Sequence, residues 1–375
     1  MTKKKRVVIV GAKFGELYLN SFIEAQPELE LVGLVAKGSA RAIHLADAFG
    51  VTLYKSLEDL PDDIDIACVV IRAAVIGGEG NHLVEALLRR GVHVIQEHPV
   101  SLRELLRHQQ LAKEYSVHYW VNSFYPYIPV GQQFIKASHR VIEQSETLPT
   151  YGNISTSRQL LFSTLDILLQ ALFHDITFEI KLIEQDQCGF DIISLSSKTT
   201  HIVLRLQNYL DPNDPDMHNL AMHNMQLGWA SGYLSLTDTY GPLSWTHVLH
   251  ANNHLANQHS LFQIAGTSSG RYLQQSTTDI LSMPPDSVQS GIEREGPAGV
   301  SLLLNKLVHC LKVQPVPHEV SSDFQSRLVS LWQAIVDLLG PPQERLLRPA
   351  PRIQLSPPKK NSLSKSVLPM KESLR

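Results

Sequence analysis

The chain has 375 residues, of which 43% are hydrophobic and 18% charged, with a net charge of -3. This length predicts two domains, and the near-neutral balance removes any global electrostatic reason to bind nucleic acid or an anionic membrane. Three cysteines, Cys68, Cys188 and Cys310, stand without paired spacing, which argues against a disulfide framework and suits a reducing cytoplasm. The chain opens on Lys3-Lys4-Lys5-Arg6, followed by the apolar run Val7-Val8-Ile9-Val10, which stops at Gly11. That run is too short for a signal-peptide core or a membrane span, and it reads as the first strand with a solvated lead. Short β-rich runs then alternate with helical stretches. Strands are predicted over 6–10, 29–36, 53–54, 66–71, 93–96 and 117–121, and helices over 14–25, 39–49, 56–60, 81–90 and 102–114. Continuous Val/Ile runs separated by amphipathic helices mean parallel strands covered on both faces. The fold class expected for residues 1–122 is therefore α/β, a doubly wound Rossmann sheet.

Beyond residue 122 the pattern changes. A helix over 128–143 leads into strand-like runs at 177–185, 190–195, 201–209, 222–227 and 232–239, whose alternation suits a largely antiparallel sheet with one solvated face. Two late helices follow, one from Gly296-Pro297 to about residue 311 and one over 323–339, ending before Gly340-Pro341-Pro342. This predicts a second, α+β domain over 123–345 and a disordered Pro/Ser/Lys-rich tail over 346–375.

The turn after the first strand is Gly11-Ala12-Lys13-Phe14-Gly15-Glu16, where a dinucleotide pyrophosphate would rest on helix N-terminal amides. The Gly-x-Gly-x-x-Gly spacing asks for glycine where Lys13 and Glu16 stand. Gly15 partly replaces the missing close-packing glycine, and a tight turn without a ligand is the alternative. The end of the second strand, Ala36-Lys37-Gly38-Ser39-Ala40-Arg41, has no carboxylate for a ribose hydroxyl. Lys37, Gly38, Ser39 and Arg41 there suit a 2′-phosphate, so NADPH is the expected cofactor; the plainer reading is a solvated turn with Ser39 as N-cap. Arg72, just after the strand over 66–71, and Glu97 complete the cofactor-binding candidates.

The strand over 93–96 runs into Glu97-His98-Pro99, and strand carboxyl ends face the cofactor in such a sheet. His98 is thus placed to donate a proton near the nicotinamide. At the domain junction, Tyr125 in Phe124-Tyr125-Pro126-Tyr127 either overhangs the cleft as a phenolic acid or packs a hinge. Other histidines gather at His218 and His223, and at His247, His250, His254 and His259. No acidic ligand accompanies the second set, and Asn252-Asn253 weakens a helix there, so no metal site is expected. Asp211-Pro212-Asn213-Asp214-Pro215-Asp216 lacks the Gly and terminal Glu of a calcium loop and reads as a turn.

On these residues the N-terminal half resembles the glucose–fructose oxidoreductase and inositol dehydrogenase family, which carries Glu-Lys-Pro where this chain has Glu97-His98-Pro99. The substitution of the catalytic lysine counts against sugar or cyclitol oxidation, the first alternative; a non-catalytic NADP-binding sensor is the second. A narrower resemblance, over roughly 6–340, is to thiazolinyl imine reductases of siderophore assembly. It rests on Val10-Gly11-Ala12-Lys13-Phe14-Gly15-Glu16, Gly38-Ser39-Ala40-Arg41, Val92-His93-Val94-Ile95-Gln96-Glu97-His98-Pro99, Tyr119-Trp120-Val121-Asn122 and Thr156-Ser157-Arg158-Gln159-Leu160-Leu161. Ser163-Thr164-Leu165-Asp166, Tyr209-Leu210-Asp211-Pro212 and Gly296-Pro297 with Gly299-Val300-Ser301 extend it. This resemblance implies NADPH-dependent reduction of a thiazoline C=N bond, on a substrate tethered to a nonribosomal peptide synthetase carrier domain. It further implies a homodimer, with His98 and Tyr125 as the proposed general acids. Arg158 is left between substrate or cofactor contact and an ion pair.

Overall fold

The computed structural model describes residues 3–73, 78–173, 176–185, 189–215, 219–248, 275–312 and 316–348, with 350, 351, 353 and 355. Most of the expected tail lies outside the described residues, as do Cys188, His218, His250, His254 and His259.

The first domain alternates β1 (Lys5–Val10), α1 (Gly15–Asn20), β2 (Leu29–Val35), α2 (Ala40–Phe49), β3 (Thr52–Tyr54), β4 (Ile66–Val69), α3 (Gly80–Arg89), β5 (His93–Glu97), α4 (Leu102–Glu114) and β6 (Tyr119–Asn122). The strands pair in parallel in the order β3-β2-β1-β4-β5-β6. The order reverses between β1 and β4, which opens a crevice at their carboxyl ends. Val7–Val10 of β1 and all of β4 are buried, as strands sandwiched between helix layers must be. Local chemistry sets the helix ends. Ser39 caps α2 through the Ala42 N–H, and Ser101 with Glu104 forms a reciprocal capping box on α4.

Two predicted helices are corrected. The helix expected over 14–25 ends at Asn20, because Ser21 Oγ bonds the Tyr18 carbonyl and Gln26 bonds the Ser21 carbonyl. These side chains compete for the backbone groups that a longer helix would use. The helix expected over 56–60 is a turn, closed by the Asp59 carboxylate on the N–H and hydroxyl of Ser56.

The second domain runs α5 (Pro129–Ser145), β7 (Tyr151–Ser157), α6 (Leu161–Ala171), β8 (Glu179–Gln185), β9 (Phe190–Ser196), β10 (His201–Gln207), β11 (Tyr209–Leu210), β12 (Asn224–Trp229), β13 (Gly232–Leu236), β14 (Leu243–His247), β15 (Thr278–Ser282), α7 (Gly296–Cys310), α8 (Ser322–Leu339) and β16 (Gln343–Glu344). Its sheet has the order β15-β14-β13-β12-β7-β10-β9-β8, and only β7 with β10 is parallel. The strand expected over 201–209 breaks at Asn208, whose N–H bonds Gly189; Tyr209 and Leu210 pair with β16 instead. Sequence reasoning missed β7, β14, β15, β16 and α6.

The C-terminal helices return to the first domain. Trp120 Nε1 of β6 donates to the Val320 carbonyl at 2.9 Å, and Gln333 of α8 accepts from the Leu102 N–H at the start of α4. The first turn of α7 crosses α1 and the segment after β6, and that crossing requires a small residue. A Cβ at Gly299 would lie 2.8 Å from Ile128 Cγ2 and 3.0 Å from the Phe124 carbonyl oxygen. Gly299→Val should therefore destabilise the protein by about 1–3 kcal/mol through overpacking. Urea unfolding monitored by tryptophan fluorescence measures this, and an unchanged midpoint would contradict the close crossing.

Candidate active site

The crevice between β1 and β4 is shaped by backbone. Gly11 has φ 111°, and a Cβ there would sit 2.6 Å from the Val70 carbonyl oxygen. No side-chain residue fits that position, so bare backbone passes between the two strand ends. A Cβ on Gly15 would meet Ile9 Cγ2 at 3.1 Å, so α1 starts directly against the sheet. Ala12 is half-buried, whereas Lys13 and Phe14 are exposed. The Phe14 ring lies 6.0 Å from Phe124, which links this loop to the domain junction. Among the described residues no side chain caps α1. The loop is thus a backbone turn that only glycine allows, at an uncapped helix start on the switch point of the sheet, where backbone N–H groups can meet an anion.

At the end of β2, Gly38 turns the chain with φ 85°. Ser39 Oγ accepts from the Ala42 N–H, which leaves its own proton for another acceptor. Lys37 is almost fully exposed, 3.7 Å from an equally exposed Glu79. Arg41 leans back over the dinucleotide loop: its Nε donates to the Ala12 carbonyl at 3.1 Å, and Nη2 contacts the Lys13 carbonyl and pairs with Glu16. Arg72 is exposed at the carboxyl end of β4. The ten loop and turn candidates thus border one edge of the sheet. Glu97, the eleventh, is turned inward.

Glu97 ends β5 with its carboxyl buried. Tyr18 of α1 donates its phenolic proton to Glu97 Oε2, and Asn122 at the end of β6 donates to the same phenol oxygen. Burial pushes the Glu97 carboxyl up to about 8, against the lowering effect of the Tyr18 bond, so it is protonated at neutral pH. Its other oxygen lies 3.5 Å from His98 Nε2. The His98 ring is stacked on Phe162, with centroids 4.8 Å apart, and its backbone N–H is fixed on the Asn122 carbonyl at 3.0 Å. Burial depresses this imidazole to about 4, so it is neutral, and its Nδ1 has no hydrogen-bond partner among the described residues. A buried ring nitrogen left unpaired is costly unless a ligand completes it.

Tyr125 follows β6 in a single 3₁₀ turn. Its ring is packed between Phe124 and His223, with centroids 4.1 and 4.6 Å away, and its hydroxyl makes no hydrogen bond among the described residues. Burial, then Tyr240 and Glu97, raise this phenol above its ordinary value. His223 is fully buried, with Nε2 2.7 Å from Ser163 Oγ and Nδ1 2.7 Å from Thr239 Oγ1, and it is held neutral by burial and by His98. The structure thus brings His98, Tyr125, Glu97 and His223 to one place. Tyr18, Asn122, His223 and Tyr240 escaped the sequence reading of the site. The only signals were a strand-end position for Asn122 and a lone apolar-face tyrosine in α1. Arg158 is committed elsewhere: Nη1 donates to Asn208 Oδ1 at 2.7 Å, and Asn208 bridges to Asp191. Among the described residues no three His, Cys, Asp or Glu side chains are grouped to hold a metal ion. His247 is paired with Asp279 at 2.8 Å.

Residues 5–123 match the family model described as "Oxidoreductase family, NAD-binding Rossmann fold", and residues 147–246 match "Thiazolinyl imine reductase Irp3-like, C-terminal". Similar solved structures include GenD2 from gentamicin A biosynthesis in complex with NAD, at 14% identity over 89% of this chain and 93% of the other, with a TM-score of 0.60. KijD10, a 3-ketoreductase from Actinomadura kijaniata in complex with NADP and TDP-benzene, matches at 14% identity over 88% and 97%, with a TM-score of 0.61. UDP-N-acetylglucosamine 3-dehydrogenase GnnA from Acidithiobacillus ferrooxidans matches at 11% over 88% and 95%, with a TM-score of 0.60. At these identities what is shared is the fold. No curated protein sequence matches the chain. The chain belongs to the oxidoreductase family with an NAD-binding Rossmann domain, and its second domain is of the thiazolinyl imine reductase Irp3-like type.

The buried Glu97 has a consequence for stability. Its carboxyl is raised from about 4.5 unfolded to about 8 folded, so the folded state holds a proton that the unfolded state has released. Its contribution is complete below about pH 4.5 and is lost as pH rises through 8. Between pH 6.5 and 9 (a working range from the ordinary histidine value upward), the unfolding free energy of the native protein should fall relative to Glu97→Gln. Parallel urea-denaturation profiles for the two proteins would show that Glu97 is not buried as a neutral acid.

Proposed function

We propose that this oxidoreductase uses NADPH to reduce a thiazoline C=N bond to a thiazolidine, on a substrate tethered to a nonribosomal peptide synthetase carrier domain in siderophore assembly. The observation that carries this reading is His98. It sits at the carboxyl end of β5 with an unpartnered, buried Nδ1 beside a protonated Glu97, in a chain whose second domain is of the imine reductase type. The residues present fit the cofactor. The Gly11–Gly15 loop, Lys37, Gly38 and Ser39, with Arg41 and Arg72 nearby, would hold the dinucleotide, and an acid-free end of β2 favours a 2′-phosphate. When bound, the reduced nicotinamide supplies hydride to the imine carbon.

The protein's part is the proton. As the ring nitrogen gains an electron pair it takes the proton on His98 Nδ1, while Nε2 receives the proton from Glu97 Oε1. The imidazole is thereby neutral before and after the step and never needs to exist as a buried cation. Tyr18 already donates to Oε2, which leaves the Glu97 proton for Oε1, the oxygen that faces His98. Glu97 ends as a carboxylate and regains its proton from solvent before the next turnover. Tyr125, a weaker acid than an ordinary phenol, hydrogen-bonds the same nitrogen and positions it. Sugar or cyclitol oxidation is the reading this site favours less: removing an alcohol proton needs a base, and an imidazole held near 4 is a poor one. We extend the proposal to a homodimer in the cytoplasm. The free, buried thiols of Cys68 and Cys310 suit a reducing compartment, and the homodimer rests on the family resemblance alone.

The test follows NADPH oxidation with a soluble thiazoline analogue. His98→Ala should slow reduction by roughly 10²–10⁴-fold and Tyr125→Phe by a smaller factor, each with little loss of NADPH affinity. Full activity in both variants would sink the acid assignment. A native enzyme that oxidises sugars or cyclitols but leaves the thiazoline untouched would sink the substrate class.

A further inference from the structure

We propose that Arg41 and Glu16 form a strap across the dinucleotide loop that fixes it for any pyrophosphate-bearing cofactor, so that preference for a 2′-phosphate rests on Lys37 and Ser39. The inference depends on the reading of residues 11–15 as a dinucleotide loop. It changes the role of one residue: the sequence assigns Arg41 to the 2′-phosphate, whereas the structure places its guanidinium on the backbone of the loop itself.

The geometry is specific. Arg41 stands in the first turn of α2 and Glu16 in the first turn of α1, and their ion pair joins the two helices over the ends of β1 and β2. Between them the guanidinium reaches the Ala12 carbonyl through Nε and the Lys13 carbonyl through Nη2. Peptide units are planar and trans, so each N–H points opposite to the carbonyl of the same unit. Tethering the carbonyls of Ala12 and Lys13 therefore aims the N–H groups of Lys13 and Phe14 away from Arg41, into the crevice where an anion would rest. Lys13 and Glu16 occupy positions where the usual fingerprint has glycine. Backbone freedom lost with those glycines is replaced by a side-chain clamp, and Glu16 is the residue that holds the clamp shut.

Lys37 and Ser39 are differently placed. Among the described residues Lys37 pairs with an exposed Glu79 at 3.7 Å, a weak contact in water that a phosphate can displace, and the hydroxyl proton of Ser39 is not used by its own cap.

The experiment measures dissociation constants for NADPH and NADH by fluorescence titration, together with amide hydrogen exchange over residues 11–16 without nucleotide. Arg41→Ala should weaken both dinucleotides by a similar factor, roughly tenfold, and speed exchange in the loop. Arg41→Lys keeps the charge but has no fork to bridge three acceptors, so it should behave in the same direction. Glu16→Gln should cause a smaller, equally non-selective loss. Lys37→Ala should weaken NADPH alone and leave exchange unchanged. If Arg41→Ala lowers NADPH affinity while NADH binding and loop exchange stay as in the native protein, the strap is refuted and Arg41 is a 2′-phosphate ligand. If the native protein prefers NADH, the NADPH reading fails, yet the equal losses and the exchange rates still decide the strap.

Discussion

Glu97 is buried against a phenol and an amide rather than a cation, and the carboxyl edge of the parallel sheet is organised around that choice. The carboxyl ends β5, the phenol comes from α1 and the amide from the end of β6, so one hydrogen-bonded knot fixes three elements that meet at the crevice. An ionised carboxylate in that position would carry a heavy desolvation penalty; a neutral one does not. The knot also orders the acid. With Oε2 occupied by Tyr18, the proton of Glu97 belongs on the side of His98, whose backbone N–H is anchored to the same Asn122 residue.

The second domain completes the site from the other side. Phe162 supplies the surface on which His98 stacks, and it comes from α6, every residue of which is buried. Ser163, the next residue of α6, and Thr239 engage both nitrogens of His223, and this locks the ring against which Tyr125 packs. The α7 crossing at Gly299 then presses the junction segment from Phe124 to Ile128 onto the first domain. Rigid placement of Tyr125 is thus a product of both domains, although the residue itself belongs to a short turn.

This division explains what the sequence made legible. The alternation of apolar strands and amphipathic helices in the first 122 residues reports burial on two faces of a sheet, and it led to the observed strand series with two faulty helices. His98 was visible because a strand end is a position that periodicity can locate. By contrast, α6 has no polar face, so its 3.6-residue period is hidden, and its buried Ser, Thr, Asp and Gln give no amphipathic pattern to locate it. Tyr18 and His223 were illegible for a related reason. Their roles are defined by partners 79 and 60 residues away, Glu97 and Ser163, and no local pattern encodes such a pair. Arg41 marks a different limit: its chemical type is legible, but sequence cannot show where a long side chain turns, and here the guanidinium lies on the carbonyls of Ala12 and Lys13.

The exchange of lysine for histidine at position 98 takes on meaning in this setting. A lysine ammonium beside Glu97 would draw its carboxyl into the ionised form, and the pair would hold a fixed charge separation suited to a group that gives up its own proton and becomes a base. A histidine kept neutral by burial does the reverse: it leaves Glu97 protonated and offers a path for that proton, with one nitrogen towards the carboxyl and the other unpartnered. On the proposed function the same fold is thereby shifted from accepting protons to delivering them, and that shift requires the Tyr18–Asn122 knot as much as the substitution. Without that knot Glu97 would be free to turn to solvent, ionise, and leave the imidazole without a proton to pass on.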